Sequence, residues 1–122
     1  MEKIKCICVM RELFEALSTL ETGLNEAHGV SLNEAMVLCS IGKETVTAST
    51  VVERTGMTAS HTSKVIRSAE EKMLLQRALG EKDKRQMHFT LTKKGRTCLE
   101  GIKENGVEIP DLLVPLFKDA IQ

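Results

Sequence analysis

Residues 56–64 read Gly56-Met57-Thr58-Ala59-Ser60-His61-Thr62-Ser63-Lys64. Short hydroxylated side chains follow a glycine, and a histidine and a lysine sit among them. Such a run is either a solvated loop or the start of a helix with polar first turns. Its neighbours decide between the two. Downstream, Thr62, Val65, Ile66, Ala69 and Met73 recur at three- and four-residue steps, the spacing of one helix face. Upstream, Thr47 suits the N-cap of a brief helix, Ala48–Arg54, with Val51 and Val52 inward, and Gly56 suits the left-handed position after it. Thr58 is then the cap of a longer helix, Ala59–Lys72, with Met57 and Thr62 packed. Thr58, Ser60, His61, Ser63 and Lys64 remain outside.

Working outward, the period changes from helical to alternating at Leu75–Leu79 and again at Gln86–Leu91, as in strands. The charged stretch Gly80-Glu81-Lys82-Asp83-Lys84-Arg85 between them has hairpin length. Thr92 caps a helix over Lys93–Asn105 that stops at Gly106. Pro110 opens a last apolar segment that kinks or restarts at Pro115. On the other side, Ile7, Met10, Phe14, Leu17 and Leu24, widened by Leu13 and Leu20, mark a first helix from Lys3 to about Ala27. Ser31 and Glu34 form a capping-box pattern for a second helix, Leu32–Ile41. Gly42 ends it, and Glu44-Thr45-Val46 is a short extended piece. The expected fold is mainly α with a small β-hairpin wing: a winged helix-turn-helix flanked by N- and C-terminal dimerisation helices. Residues 1–122 form a single domain, with the winged helix-turn-helix core at 30–99 and the dimerisation helices at 1–29 and 100–122.

Composition agrees with one small domain. The chain has 122 residues, no Trp or Tyr and three Phe, so Leu, Val, Ile and six Met build the core. No apolar run approaches membrane-spanning length, and the charged N-terminus does not read as a signal peptide, so the expected location is cytoplasmic, with no membrane partner. The four cysteines are then expected as reduced thiols. The net charge of zero hides an asymmetry: Gly56–Arg96 carries ten basic and four acidic residues, and the flanks carry seven and thirteen. A basic middle between acidic ends points to a polyanionic partner for the middle alone.

From about Val30 to Leu99 the sequence resembles the MarR family of winged-helix transcription regulators. Thr47–Gly56 matches the family's first helix and turn, Met57–Lys64 the start of its recognition helix and Ala69–Lys72 the end. Asp83-Lys84-Arg85 matches the wing signature, and Leu91–Arg96 the exit motif. Met73 stands where the family usually has glycine, and the chain after Asn105 is short for the family. The resemblance implies a homodimer on pseudo-palindromic double-stranded DNA, acting as a repressor. It also implies a small-molecule effector, amphipathic or aromatic, bound between the dimerisation helices and the winged part.

Phosphates supply most affinity for a duplex and base edges in the major groove supply specificity, so a helix that enters the groove needs short or polar first turns. Ser60, His61 and Lys64 are the expected base readers, with Thr58 and Ser63 beside them. By resemblance Arg85 enters the minor groove and Asp83 orients it, while Lys82 and Lys84 meet phosphates. Leu13, Phe14, Leu17 and Leu20, with Leu112, Leu113, Leu116 and Phe117, are too many for so small a domain to cover, and they are expected to pair across a two-fold axis.

Cys6 and Cys8, two apart on a helix, point about 200° away from each other and do not chelate one ion, so no metal site and no cofactor is expected. Cys39 and Cys98 fall on apolar helix faces and are expected to be buried. Some MarR relatives sense oxidants through a cysteine of the first helix, a part open to Cys6 or Cys8. There is no glycine-rich phosphate loop or nucleophile elbow, and His28, His61 and His88 are scattered, so no enzyme is expected. Two alternatives stand beside the DNA-binding regulator: a thiol-redox or metal-responsive sensor on the same scaffold, and a winged-helix protein–protein interaction module.

Overall fold

A computed structural model of the chain describes residues 1–79 and 86–118. Helix α1 (Ile7–His28) leads into α2 (Leu32–Ile41), the two-residue strand β1 (Val46–Thr47), α3 (Ala48–Thr55) and α4 (Ala59–Glu71). Strands β2 (Leu75–Leu79) and β3 (Met87–Leu91) follow, then α5 (Lys93–Asn105) and a 3-10 helix, Asp111–Phe117. Side-chain oxygens start four of the helices. Ser31 accepts from Glu34 N–H and Glu34 returns the bond in a full capping box, while Thr47, Thr58 and Thr92 each accept from the amide three residues on. Gly56 ends α3 at φ 76°, a conformation that turns the chain toward α4.

The sheet has the order β1-β3-β2 and is antiparallel throughout. The short extended piece near Val46 is thus a third strand: Val46 pairs with Phe89 and Thr47 with His88. One core lies between α2, α3, α4, α5 and the sheet, built from Val37, Leu38, Ile41, Val51, Ile66, Ala69, Leu74 and Leu91, all nearly inaccessible.

The wing is fastened to α4 at one tight seam. Met73 sits at φ 63°, the only non-glycine with positive φ among the described residues. The next carbonyl, that of Leu74, accepts from Thr92 N–H (3.0 Å), and Thr92 Oγ1 donates to Met73 O (2.6 Å). A Cβ added to Gly95 would collide with the Leu74 carbonyl oxygen, so the first turn of α5 rests directly on this backbone. The exit motif Leu91–Arg96 therefore needs glycine for close approach rather than for flexibility.

Several expectations are corrected. Helix α1 begins at Ile7 rather than Lys3. Met73 does not extend the buried face of α4: the helix stops at Glu71 and the left-handed residue turns outward, leaving Met73 66% exposed. Cys39 is exposed, because α2 buries Glu34, Val37, Leu38 and Ile41 and Cys39 falls opposite them. Cys98 is half-buried, with its thiol donating to His28 O (3.6 Å), and burial raises its pKa. Val52 is half-buried. Leu20 and Leu113 pack with Ala16 inside the same protomer, so those two leucines are not free for a partner. Leu13, Phe14, Leu17, Leu112, Leu116 and Phe117 are exposed. The C-terminal segment runs as one 3-10 helix through Pro115 instead of restarting there.

Two substitutions test the seam. Met73→Gly removes left-handed strain and little buried surface, so it should raise unfolding stability by about 1 kcal/mol in urea titration. Gly95→Ala should lower it by about 3 kcal/mol, since the contacted atom is backbone and cannot rotate away. A destabilised Met73→Gly or a neutral Gly95→Ala contradicts this reading of the seam.

Candidate nucleic-acid interface

Helix α4 has two chemically distinct sides. Thr62, Val65, Ile66 and Ala69 are buried against the core. Thr58, Ser60, His61, Ser63 and Lys64, the five residues singled out in the sequence, are all exposed. Thr58 Oγ1 accepts from His61 N–H at 3.1 Å, which closes the first turn. Arg67 enters the sequence reading only as a charge, not as a site residue. It is exposed, four residues after Ser63 and three after Lys64, so it continues the same side of the helix. Helical spacing from the outward residues, continued one turn further, would have found it. Ser60 to Arg67 spans roughly 10 Å along the axis, close to the width of a B-DNA major groove.

Two contacts fix how α4 is presented. The first is a buried carboxylate. Glu34, 2% exposed, receives Ser31 N–H (2.8 Å), Ser68 Oγ (2.5 Å) and Lys72 Nζ (2.7 Å). Lys72 also donates to Gly29 O (3.1 Å). Burial pushes the Glu34 carboxyl up, but the bonds from Lys72, Ser68 and the Ser31 amide outweigh it and hold the group below its ordinary range. The capping residue of α2 is therefore also a clamp on the second half of α4. The second contact joins Asn33 Nδ2 to His61 Nε2 at 3.1 Å, on the exposed first half.

The basic surplus is partly consumed internally. Lys72 is paired as above. Arg77 makes a two-pronged pair with Glu70 (2.7 and 2.8 Å) and lies over the Phe89 ring. Lys94 Nζ donates to Lys72 O at the end of α4 (2.9 Å). Among the described residues no ion pair engages Lys64 or Arg67. Lys82, Asp83, Lys84 and Arg85 of the wing lie outside the described residues.

Cys6 is the N-cap of α1, in extended conformation, with Cys8 one residue inside the helix; both are exposed. The amides of Val9 and Cys8 draw the Cys6 thiol below its ordinary range. No helix among the described residues is long and apolar enough to cross a membrane.

A family model described as a winged helix DNA-binding domain matches residues 30–95. The chain superimposes on the transcriptional regulator BldR from Sulfolobus solfataricus with TM-score 0.69, at 20% identity over 92% of this chain and 78% of that one. It superimposes on the S. aureus MepR–DNA complex with TM-score 0.63, at 17% identity over 79% and 80%. AbsC, a MarR family transcriptional regulator from Streptomyces coelicolor, gives 0.67 at 19% identity over 100% and 86%. The resemblance to MarR regulators read from the sequence therefore holds in fold. No curated protein sequence is significantly similar to the chain.

The Glu34 clamp makes a prediction with a definite sign. A carboxyl whose folded pKa lies below its ordinary 4.5 stabilises the fold above that pH and ceases to do so as pH falls through the folded value. Glu34→Gln should cost about 1–2 kcal/mol at pH 7. The gap to the unaltered protein should close as pH falls from 4.5 through the lower folded value. A gap independent of pH removes the electrostatic reading of the clamp.

Proposed function

The chain belongs to the winged helix DNA-binding domain family, and from that premise we propose that it is a MarR-type transcription regulator that binds a pseudo-palindromic operator as a homodimer and represses. The observation that carries this reading is the exposed row Ser60, His61, Ser63, Lys64 and Arg67 on a helix whose other side is buried and clamped. Ser60, His61 and Lys64 meet base edges. Thr58 and Ser63 lie against the adjacent backbone, and Arg67 neutralises a phosphate. In the wing, Arg85 enters the minor groove with Asp83 orienting it, and Lys82 and Lys84 meet phosphates, by resemblance to the family.

Dimerisation uses the exposed apolar residues of α1 and the C-terminal segment. Phe14 is 71% and Leu116 76% exposed, and Ile7, Met10, Leu13, Leu17, Leu112 and Phe117 are exposed on the same two elements, so apolar surface there is left to be covered. The effector site is best supported at a recess of about 300 Å³ where α1 meets the winged part, bordered by Glu21, Asn25, Ser31, Glu34, Ser68 and Lys72. These side chains hydrogen-bond and carry charge, which suits the polar end of the amphipathic or aromatic effector expected from the family. By drawing Lys72 or Ser68 away from Glu34 it would loosen α4.

A second reading has one observation behind it. Cys6 is exposed and its thiol is acidified, which favours an oxidant-sensing role on the same scaffold. Peroxide treatment should then release DNA in the unaltered protein and not in Cys6→Ser; equal behaviour of the two removes it.

Two measurements test the main reading. Sedimentation at micromolar concentration should give twice the 13.5 kDa chain mass, and Phe14→Glu should return a monomer. A monomeric unaltered chain contradicts the dimer. Affinity for genomic DNA fragments should fall steeply with salt. Arg67→Ala, and separately Lys84→Ala with Arg85→Ala, should reduce the log–log slope by about one for each phosphate left without its cation. A slope near zero in the unaltered protein favours a protein–protein module instead.

A further inference from the structure

Base readers are usually sought on the recognition helix alone, but one polar contact to α4 comes from another helix on the exposed side. Asn33, half-buried at the second position of α2, places Nδ2 3.1 Å from Nε2 of His61. We propose that Asn33 is a specificity-determining residue that fixes the ring orientation and tautomer with which His61 meets DNA. This rests on the reading of α4 as the recognition helix.

Three observations make Asn33 a positioning group rather than an incidental neighbour. Its backbone lies within the capping-box turn of α2, so it is held before the side chain acts. The next residue, Glu34, is bonded to Ser68 and Lys72 further along α4, so the two helices are locked at this crossing. On the other partner, the His61 amide is bonded to Thr58, so the turn carrying the ring is also fixed. With both backbones set, the amide–imidazole bond has only the side-chain torsions of Asn33 and His61 left to order.

The chemistry follows from the donor count. With Asn33 Nδ2 as the donor, Nε2 is the acceptor, and the tautomer this bond selects carries its proton on Nδ1. The ring then has one polar group left for DNA, an N–H donor. Such a donor matches a purine N7, guanine O6, thymine O4 or a phosphate oxygen, and mismatches the amino groups of cytosine and adenine. Without Asn33 the imidazole rotates and exchanges tautomers, and discrimination at that base pair falls. Asn33 itself need touch no base.

The test uses the 122-residue chain and DNA fragments that it recovers by repeated selection of genomic DNA. Nitrogen NMR of the His61 ring in the free protein should show one neutral tautomer with the proton on Nδ1, and an averaged pattern in Asn33→Ala. In competition binding, Asn33→Ala should lower the ratio of selected-site to random-DNA affinity about tenfold. Random-DNA affinity should stay unchanged, and no further loss should appear when His61→Ala is already present. An unchanged ring spectrum in Asn33→Ala, or losses that simply add to those of His61→Ala, overturns the proposal while leaving α4 as the reading helix. If His61→Ala alone leaves the ratio unchanged, the reading of His61 fails and the proposal with it.

Discussion

Everything presented by α4 depends on one buried carboxylate. Glu34 caps α2 through Ser31, and the same oxygens take Ser68 and Lys72 from α4. A buried charge in this position is tolerable because each oxygen is occupied by a donor. Apolar packing of Thr62, Val65, Ile66 and Ala69 brings α4 to the core and turns its polar side outward. Hydrogen bonds to a single carboxylate have narrow geometry and fix the second half of the helix against α2. Together they hold Ser60, His61, Ser63, Lys64 and Arg67 on the outer side.

The wing has its own constraint, and it meets the first at Lys72. That residue gives its ammonium to Glu34 and its carbonyl to Lys94. Immediately beyond it, the left-handed Met73 and the carbonyl of Leu74 receive Thr92, and Gly95 rests on the same backbone. Helix, wing base and α5 are thus referenced to three consecutive residues. A ligand in the recess beside Glu34 would act on the one point where the proposed reading helix and the wing share a support.

The local parts of this architecture were legible in the sequence because their causes are local. Ser31, Thr47, Thr58 and Thr92 announce helix starts through an oxygen that bonds an amide three residues on, and the alternation at Leu75–Leu79 and Gln86–Leu91 marks the hairpin. The outward residues of α4 followed from subtracting its apolar face. What was hidden depends on residues far apart in the chain. Glu34 reads as half of a capping box; nothing nearby announces Ser68 or Lys72, 34 and 38 residues on. Asn33 and His61 are separated by 28 residues. The joining of Val46 to Phe89, the exposure of Cys39 and the internal pairing of Leu20 with Leu113 depend on which face of an element the rest of the fold covers, and a period does not tell which of two half-apolar faces that is. Charge counting overstated the free cations, since Lys72 and Arg77 are spent on Glu34 and Glu70.

The apolar residues left open on α1 and the C-terminal segment link shape to the proposed symmetry: two copies joined there would carry two α4 helices related by a two-fold axis. The most direct measurement of that combination is repeated selection of genomic DNA by the purified protein, followed by sequencing. The expected result is one enriched motif made of two inverted half-sites with centres about one helical turn, roughly 10 bp, or a multiple of it apart. That motif should be lost when Ser60, His61 and Lys64 are all replaced by alanine. Recovery of no enriched sequence, or of a motif unaffected by that triple substitution, contradicts the reading of α4 as the surface that recognises DNA.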